Sequence, residues 1–148
     1  MAVRKRIAAR KRPSGVTFRG MVAAPLSPGL AIETIRRGLP ARTLGEAEAY
    51  LDLTRRELLD VLRIPASTFH RRLAGNETLS PSETEKLVRL GEITRKAEET
   101  FGNAGTAKEW LTTDNLMLGG TPLSLMDTEA GAAQVARVLA AIDFGGTA

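Results

Sequence analysis

The sequence predicts an all-α protein, and three observations carry that prediction. A Ser or Thr is followed three residues later by Glu at Thr43/Glu46, Thr54/Glu57, Ser80/Glu83 and Thr106/Glu109. Such a capping box satisfies orphan amides at a helix start and sets a carboxylate near the positive end of the helix dipole. Between these signals apolar residues recur three and four positions apart, the helical period. Finally, no run alternates apolar with polar residues long enough to make a strand, and no internal repeat is visible.

The elements follow in order. Residues 1–20 hold Arg4, Lys5, Arg6, Arg10, Lys11, Arg12 and Arg19 and no acid, so the rest of the chain is slightly acidic although the whole carries +4. Such a block is expected to be a flexible basic arm, either gripping phosphates or simply solvated. Ser27 before Pro28 reads as an N-cap with proline at the first helical position. That helix runs through Ile32, Ile35 and Arg36 and stops near Gly38-Leu39-Pro40. The next helix carries Leu44, Ala47 and Leu51. A helix from Thr54 to Leu62, a turn at Arg63-Ile64-Pro65 and a short helix from Ala66 to Ala74 follow, ending at Gly75-Asn76. A long helix starts at Pro81 and sets Leu87, Leu90, Ile93, Ala97 and Phe101 on one side, before Gly102-Asn103-Ala104-Gly105 breaks it. Ala107, Trp110 and Leu111 mark a short helix ending near Asp114-Asn115. After the Gly119-Gly120-Thr121-Pro122 turn, Val135, Val138, Leu139 and Ile142 form the apolar stripe of a closing helix. The expected organisation is an arm over 1–20, one helical unit over 21–78 and a second over 79–148.

Two stretches carry candidate function. In the first, residues 54–76, Leu58, Leu59 and Leu62 face a core from one short helix, Ile64 plugs the turn, and Phe69 and Leu73 anchor the next helix from one face. The opposite face offers Ser67, Thr68, His70, Arg71 and Arg72. These are donor-rich side chains suited to base edges and phosphates. The residues fit a helix-turn-helix whose second helix reads DNA, or an ordinary helical hairpin with a solvated basic face. Arg63 occupies the turn position where glycine would enter the left-handed region most easily.

In the second stretch, Gly119 and Gly120 expose bare amides and Pro122 fixes the exit. This is either a tight connector or a shaped loop that docks on a partner, through Leu116, Leu118, Gly119, Gly120, Thr121 and Pro122. Trp110, the single tryptophan, is expected as a core anchor. From Ala97 onward Glu98, Glu99, Glu109, Asp114, Asp127, Glu129 and Asp143 face only Lys108 and Arg137. That balance suits a basic protein cleft better than DNA, or serves solubility.

The order and spacing of Phe101, Ala107, Trp110, Leu111, Asn115, Leu118, Gly119, Gly120, Pro122, Leu125, Thr128, Gly131, Leu139, Ile142 and Gly145 resemble the C-terminal toxin-binding domain of the Xre/MbcA/ParS antitoxins. The 54–76 stretch resembles an Xre-type helix-turn-helix. The resemblance implies an antitoxin of a type II pair. It implies as partners a RES-domain toxin that consumes NAD and operator DNA, bound as a homodimer to repress the antitoxin's own operon. A stand-alone DNA-binding regulator whose C-terminal half only dimerises is the other reading.

Several classes are excluded or disfavoured. With no cysteine, disulfides and thiolate metal sites are ruled out, which agrees with a cytoplasmic setting. No apolar run is long enough for a membrane span. No catalytic or metal site is expected, and no cofactor. The single histidine, His70, sits beside Arg71 and Arg72 without an acidic orienter, and no phosphate-binding glycine loop or nucleophile motif appears.

Overall fold

The computed structural model describes residues 15–145, where every regular element is a helix. The order is α1 (Phe18–Ala23), α2 (Pro28–Arg37), α3 (Thr43–Leu51), α4 (Arg55–Leu62), α5 (Ala66–Ala74), α6 (Pro81–Phe101), α7 (Ala104–Leu111), a 3-10 turn (Pro122–Leu125) and α8 (Glu129–Gly145). Two isolated bridges, Pro40 with Thr78 and Asn115 with Gly120, are the β-type pairings among these residues.

The spine is α6, on which α1, α2, α4, α7 and α8 all pack. Its sequence explains this: of the predicted stripe, Leu87, Leu90, Ile93 and Ala97 are buried, while Phe101 at the helix end is half-buried. One continuous apolar cluster runs from Phe18 to Leu139 and takes in residues on both sides of position 78. The buried face of α6 therefore serves both halves of the chain.

Helix starts show where local signals sufficed. Thr54/Glu57 and Ser80/Glu83 form full reciprocal capping boxes, and the Ser27 hydroxyl accepts from the Leu30 amide ahead of Pro28. The other two expected boxes do not form. At α3 the cap position falls on Arg42, and the Glu46 carboxylate instead accepts the Phe18 amide at 2.9 Å, from 28 residues away in sequence. At α7 the cap is Asn103, whose side chain accepts from the Thr106 amide, placing Thr106 inside the first turn.

The proposed arm over 1–20 needs correction at its inner end. Residues 1–14, with six of its seven cations, lie outside the described residues. Thr17 caps α1, and Phe18 is fully buried, edge-on to Tyr50 at 5.7 Å between ring centroids. A large aromatic gains more from the core than from solvent, so this segment folds onto α3 and α6.

Candidate functional site

The two candidate surfaces belong to one packed unit with a continuous core. The first is the α4–turn–α5 hairpin. Leu58, Leu59, Leu62, Ile64 and Phe69 are buried as the spacing required. Arg63 adopts the left-handed conformation, φ 55 and ψ 45, without being glycine. The Ile64 amide donates to the Leu59 carbonyl at 2.9 Å, and the Lys86 ammonium from α6 donates to the Leu62 carbonyl at 3.0 Å. These bonds satisfy the end of α4 and hold the turn in a conformation that costs about 1–2 kcal/mol in a residue bearing Cβ.

The expected reading face divides in two. Ser67, His70 and Arg71 are exposed on α5, with Thr68 half-buried beside them. Arg71 has a long contact of 3.9 Å to Glu77 and a mostly exposed side chain, so it is free to reach a ligand. Arg72 is not: it turns back, donating to the Thr78 carbonyl at 3.3 Å and lying 3.2 Å from the Glu83 carboxylate. Glu83 is the capping-box residue of α6, so Arg72 ties the end of α5 to the start of α6. Leu73, expected in the core, is 40% exposed because the last turn of α5 is held by these polar contacts rather than by burial. Arg55, which sequence reasoning did not single out, lies over the Phe69 ring at 4.5 Å and pairs with Glu48 at 2.7 Å.

The second surface is the 112–121 loop. Asn115 organises it: its side-chain oxygen accepts the Met117 amide at 2.9 Å, its carbonyl accepts the amides of Leu118 and Gly119, and its amide donates to the Gly120 carbonyl. Gly119 enters the left-handed region at φ 76 to close this turn. The result is a tight knuckle whose tip is apolar. Leu116 is fully exposed and Met117 is 68% exposed, while Leu118 points inward and is buried. Leu118 and Pro122 are buried, whereas Gly119 is exposed and Gly120 and Thr121 are half-buried. The Thr121 hydroxyl caps the 3-10 turn by accepting the Ser124 amide at 3.1 Å. Met117 was missed by sequence reasoning, although it adjoins Leu116.

The closing helix is clamped beneath this loop. The Thr128 hydroxyl accepts the Gly131 amide at 2.9 Å. Gly131 is buried with no room for a side chain, because a Cβ would collide with the Leu125 carbonyl. Trp110 is only partly buried; it packs on the core beside Phe101, ring centroids 5.7 Å apart.

A cavity of about 650 Å³ opens between α1 and α2, where Glu33 and Arg37 are the charged residues of the lining and pair with each other at 2.9 Å. Among the described residues there is no cluster of metal-ligating side chains, and no helix is long and apolar enough to cross a membrane. The Tyr50 hydroxyl has its pKa pushed up to about 12 by burial, by its 2.6 Å hydrogen bond to Glu98 and by that carboxylate's charge, against the opposing Arg19. It is a strut between α3 and α6.

Comparison with known proteins matches both halves. Residues 30–91 match the antitoxin Xre-like helix-turn-helix domain, and residues 96–145 match the antitoxin Xre/MbcA/ParS C-terminal toxin-binding domain. A Prs ADP-ribosylating antitoxin of Sphingobium is 30% identical over 80% of this chain and 81% of its own length. An antitoxin Xre of Pseudomonas putida is 36% identical over 55% of this chain and 52% of its own, and one of Yersinia enterocolitica is 26% identical over 84% and 86%. All three relatives are named as antitoxins.

Proposed function

Because the chain belongs to the Xre/MbcA/ParS-type antitoxins, with a helix-turn-helix unit followed by a toxin-binding domain, we propose that it neutralises a RES-domain toxin that consumes NAD and represses its own operon as a homodimer. The observation that carries the toxin half is the Leu116–Met117 knuckle. Two large apolar side chains stand in water on a loop fixed by four hydrogen bonds of Asn115, Leu118, Gly119 and Met117. Exposing them has no folding benefit, and a rigid apolar tip loses little entropy when it enters a cleft. The acids nearby, Asp114 and Asp127, suit a cleft with a cationic rim. One relative carries ADP-ribosylation in its name, a transfer whose usual donor is NAD, which agrees with an NAD-consuming partner.

The DNA half rests on Ser67, Thr68, His70 and Arg71 along one side of α5, with Arg72 withdrawn into support. A single short reader helix makes few contacts, and two of them on one two-fold axis supply the affinity that one lacks.

The test is co-expression with a RES-type toxin. The full chain is expected to co-purify with that toxin and restore growth, and a chain ending at Asn103 to do neither. Full rescue by the shortened chain would refute toxin binding by the C-terminal half and favour a regulator whose C-terminal half only dimerises.

A further inference from the structure

The helix α5 is held in place by very few groups. Phe69 is its one buried residue, and among the described residues no other helix packs broadly along it. Thr68 and Arg72 are half-buried, and the other positions of α5 are exposed. A helix anchored through a single side chain rocks about that anchor unless something else resists the rotation.

Arg55 supplies the resistance. Its guanidinium carbon lies 4.5 Å from the centre of the Phe69 ring. Its Nε donates to one Glu48 carboxylate oxygen at 2.7 Å, and its Nη2 donates to the other at 3.4 Å. The Glu48 side chain is 17% exposed and that of Arg55 is 41% exposed. Both partners start from fixed backbone. The Glu48 carbonyl accepts the amides of Asp52 and Leu53 at the corner between α3 and α4. The Thr54/Glu57 capping box sets the first turn of α4, where Arg55 stands. A planar guanidinium offers its fork to a carboxylate and its face to a ring at the same time, which an ammonium does not. Glu48, Arg55 and Phe69 thus form a stack that runs from α3 through α4 to α5. The other tie, from Arg72 to Glu83 and the Thr78 carbonyl, restrains the last turn of α5 and leaves the first turn, with Ser67 and Thr68, to this stack.

We propose that Arg55 is a positioning residue for DNA reading: held by Glu48, it clamps the Phe69 ring and fixes the angle of α5, without acting as a phosphate ligand itself. This rests on the proposed reading that α5 reads DNA. Base edges are read through hydrogen bonds of narrow length and angle. Phosphate contacts follow charge and tolerate misalignment. A rocking α5 therefore loses preference for its own sequence before it loses affinity for DNA in general. Arg55 has its fork engaged and its charge balanced by Glu48, so it adds little to the pull on phosphates.

The experiment titrates full-length protein over a range of salt against two labelled duplexes, one taken from upstream of its own gene and one scrambled at the same length and composition. Arg55→Gln is expected to lower the preference for the first duplex about fivefold, the size of one partly exposed cation–π contact. A reading geometry populated in about one-fifth of the molecules gives that loss. Affinity for the scrambled duplex and the log–log salt slope are expected to stay parental. Arg55→Lys keeps the charge without the planar fork and is expected to lose the same preference. Glu48→Ala removes an acid, which by charge alone strengthens DNA binding, yet it is expected to weaken binding to the first duplex by the same factor. Arg55→Gln with Glu48→Ala should be no worse than either change alone, as for groups that act together. A parental preference in Arg55→Gln would overturn the proposal. So would a salt slope shallower by about 0.9 that Arg55→Lys restores, because Arg55 would then be a phosphate ligand. An equal loss on both duplexes would overturn it too, since that reports lost folding and not a misplaced helix. Arg71→Ala tests the reading beneath it. If the parent shows no preference, or the preference survives Arg71→Ala, α5 is not the reader and the positioning role falls with that reading. If Arg71→Ala abolishes the preference while the Arg55 and Glu48 variants keep it, the positioning role alone falls.

Discussion

Leu116 and Leu118 stand two residues apart on the same loop and should fail in opposite ways. Leu118 is buried at 8% exposure and belongs to the continuous core. Truncating it to Ala removes packed methyl groups and leaves a cavity, at about 2–5 kcal/mol of stability. Leu116 is wholly exposed and Met117 is 68% exposed, so Leu116→Ala with Met117→Ala removes no internal contact and should stay within about 0.5 kcal/mol of the parent. Their contribution belongs to the complex. Burying one large apolar side chain is worth about 1.5–3 kcal/mol, so losing either contact should weaken toxin binding about 10- to 100-fold. Urea denaturation gives the first quantity and calorimetric titration of toxin the second. The expected pattern is a shifted unfolding midpoint with near-parental affinity per folded molecule for Leu118→Ala, and the reverse for the double variant. Unchanged toxin affinity in the Leu116/Met117 variant would refute the knuckle as the docking element.

Four further outcomes follow from the geometry. Arg71→Ala should weaken operator binding by about 1–3 kcal/mol, the range for a base-reading arginine, in a gel-shift titration at fixed salt. Arg72→Ala should instead cost about 1.5–3 kcal/mol of stability in chemical denaturation, because it strips a charged hydrogen-bond donor from the Thr78 carbonyl and the half-buried Glu83. Gly131→Ala should destabilise by about 1–3 kcal/mol as α8 is pushed off the Leu125 carbonyl, read as a lowered thermal midpoint by circular dichroism. Tyr50, with its folded pKa raised to about 12 above the ordinary 10, contributes stability that is present below pH 10 and is lost as pH rises from 10 towards 12. Denaturation midpoints across that window should fall less steeply in Tyr50→Phe, and an equal fall would refute the assignment.

Sequence by itself determined what depends on neighbours in the chain. Thr54/Glu57 and Ser80/Glu83 cap their helices because donor and acceptor lie within one turn. The stripe of α6 is buried because the helical period alone places Leu87, Leu90, Ile93 and Ala97 on one face. Ser27-Pro28 and the Asn115–Pro122 turn were legible for the same reason, and so was the antitoxin resemblance that they punctuate. The tertiary structure decided whatever depends on a partner far along the chain. Glu46 left its expected box because the Phe18 amide, 28 residues away, offered a half-buried donor. Arg72 became a support because Glu83 and the Thr78 carbonyl lie beside it, although its spacing matches that of Arg71. Leu116 and Leu118 have the same side chain, and only the turn closed by Gly119 sends one into water and the other into the core. The ion pair of Arg63 with Asp127, 3.3 Å apart, spans 64 positions, so no window of sequence contains both partners. Local hydrogen bonds and period are encoded residue by residue, whereas the choice among competing partners is made only when packing brings distant groups within reach.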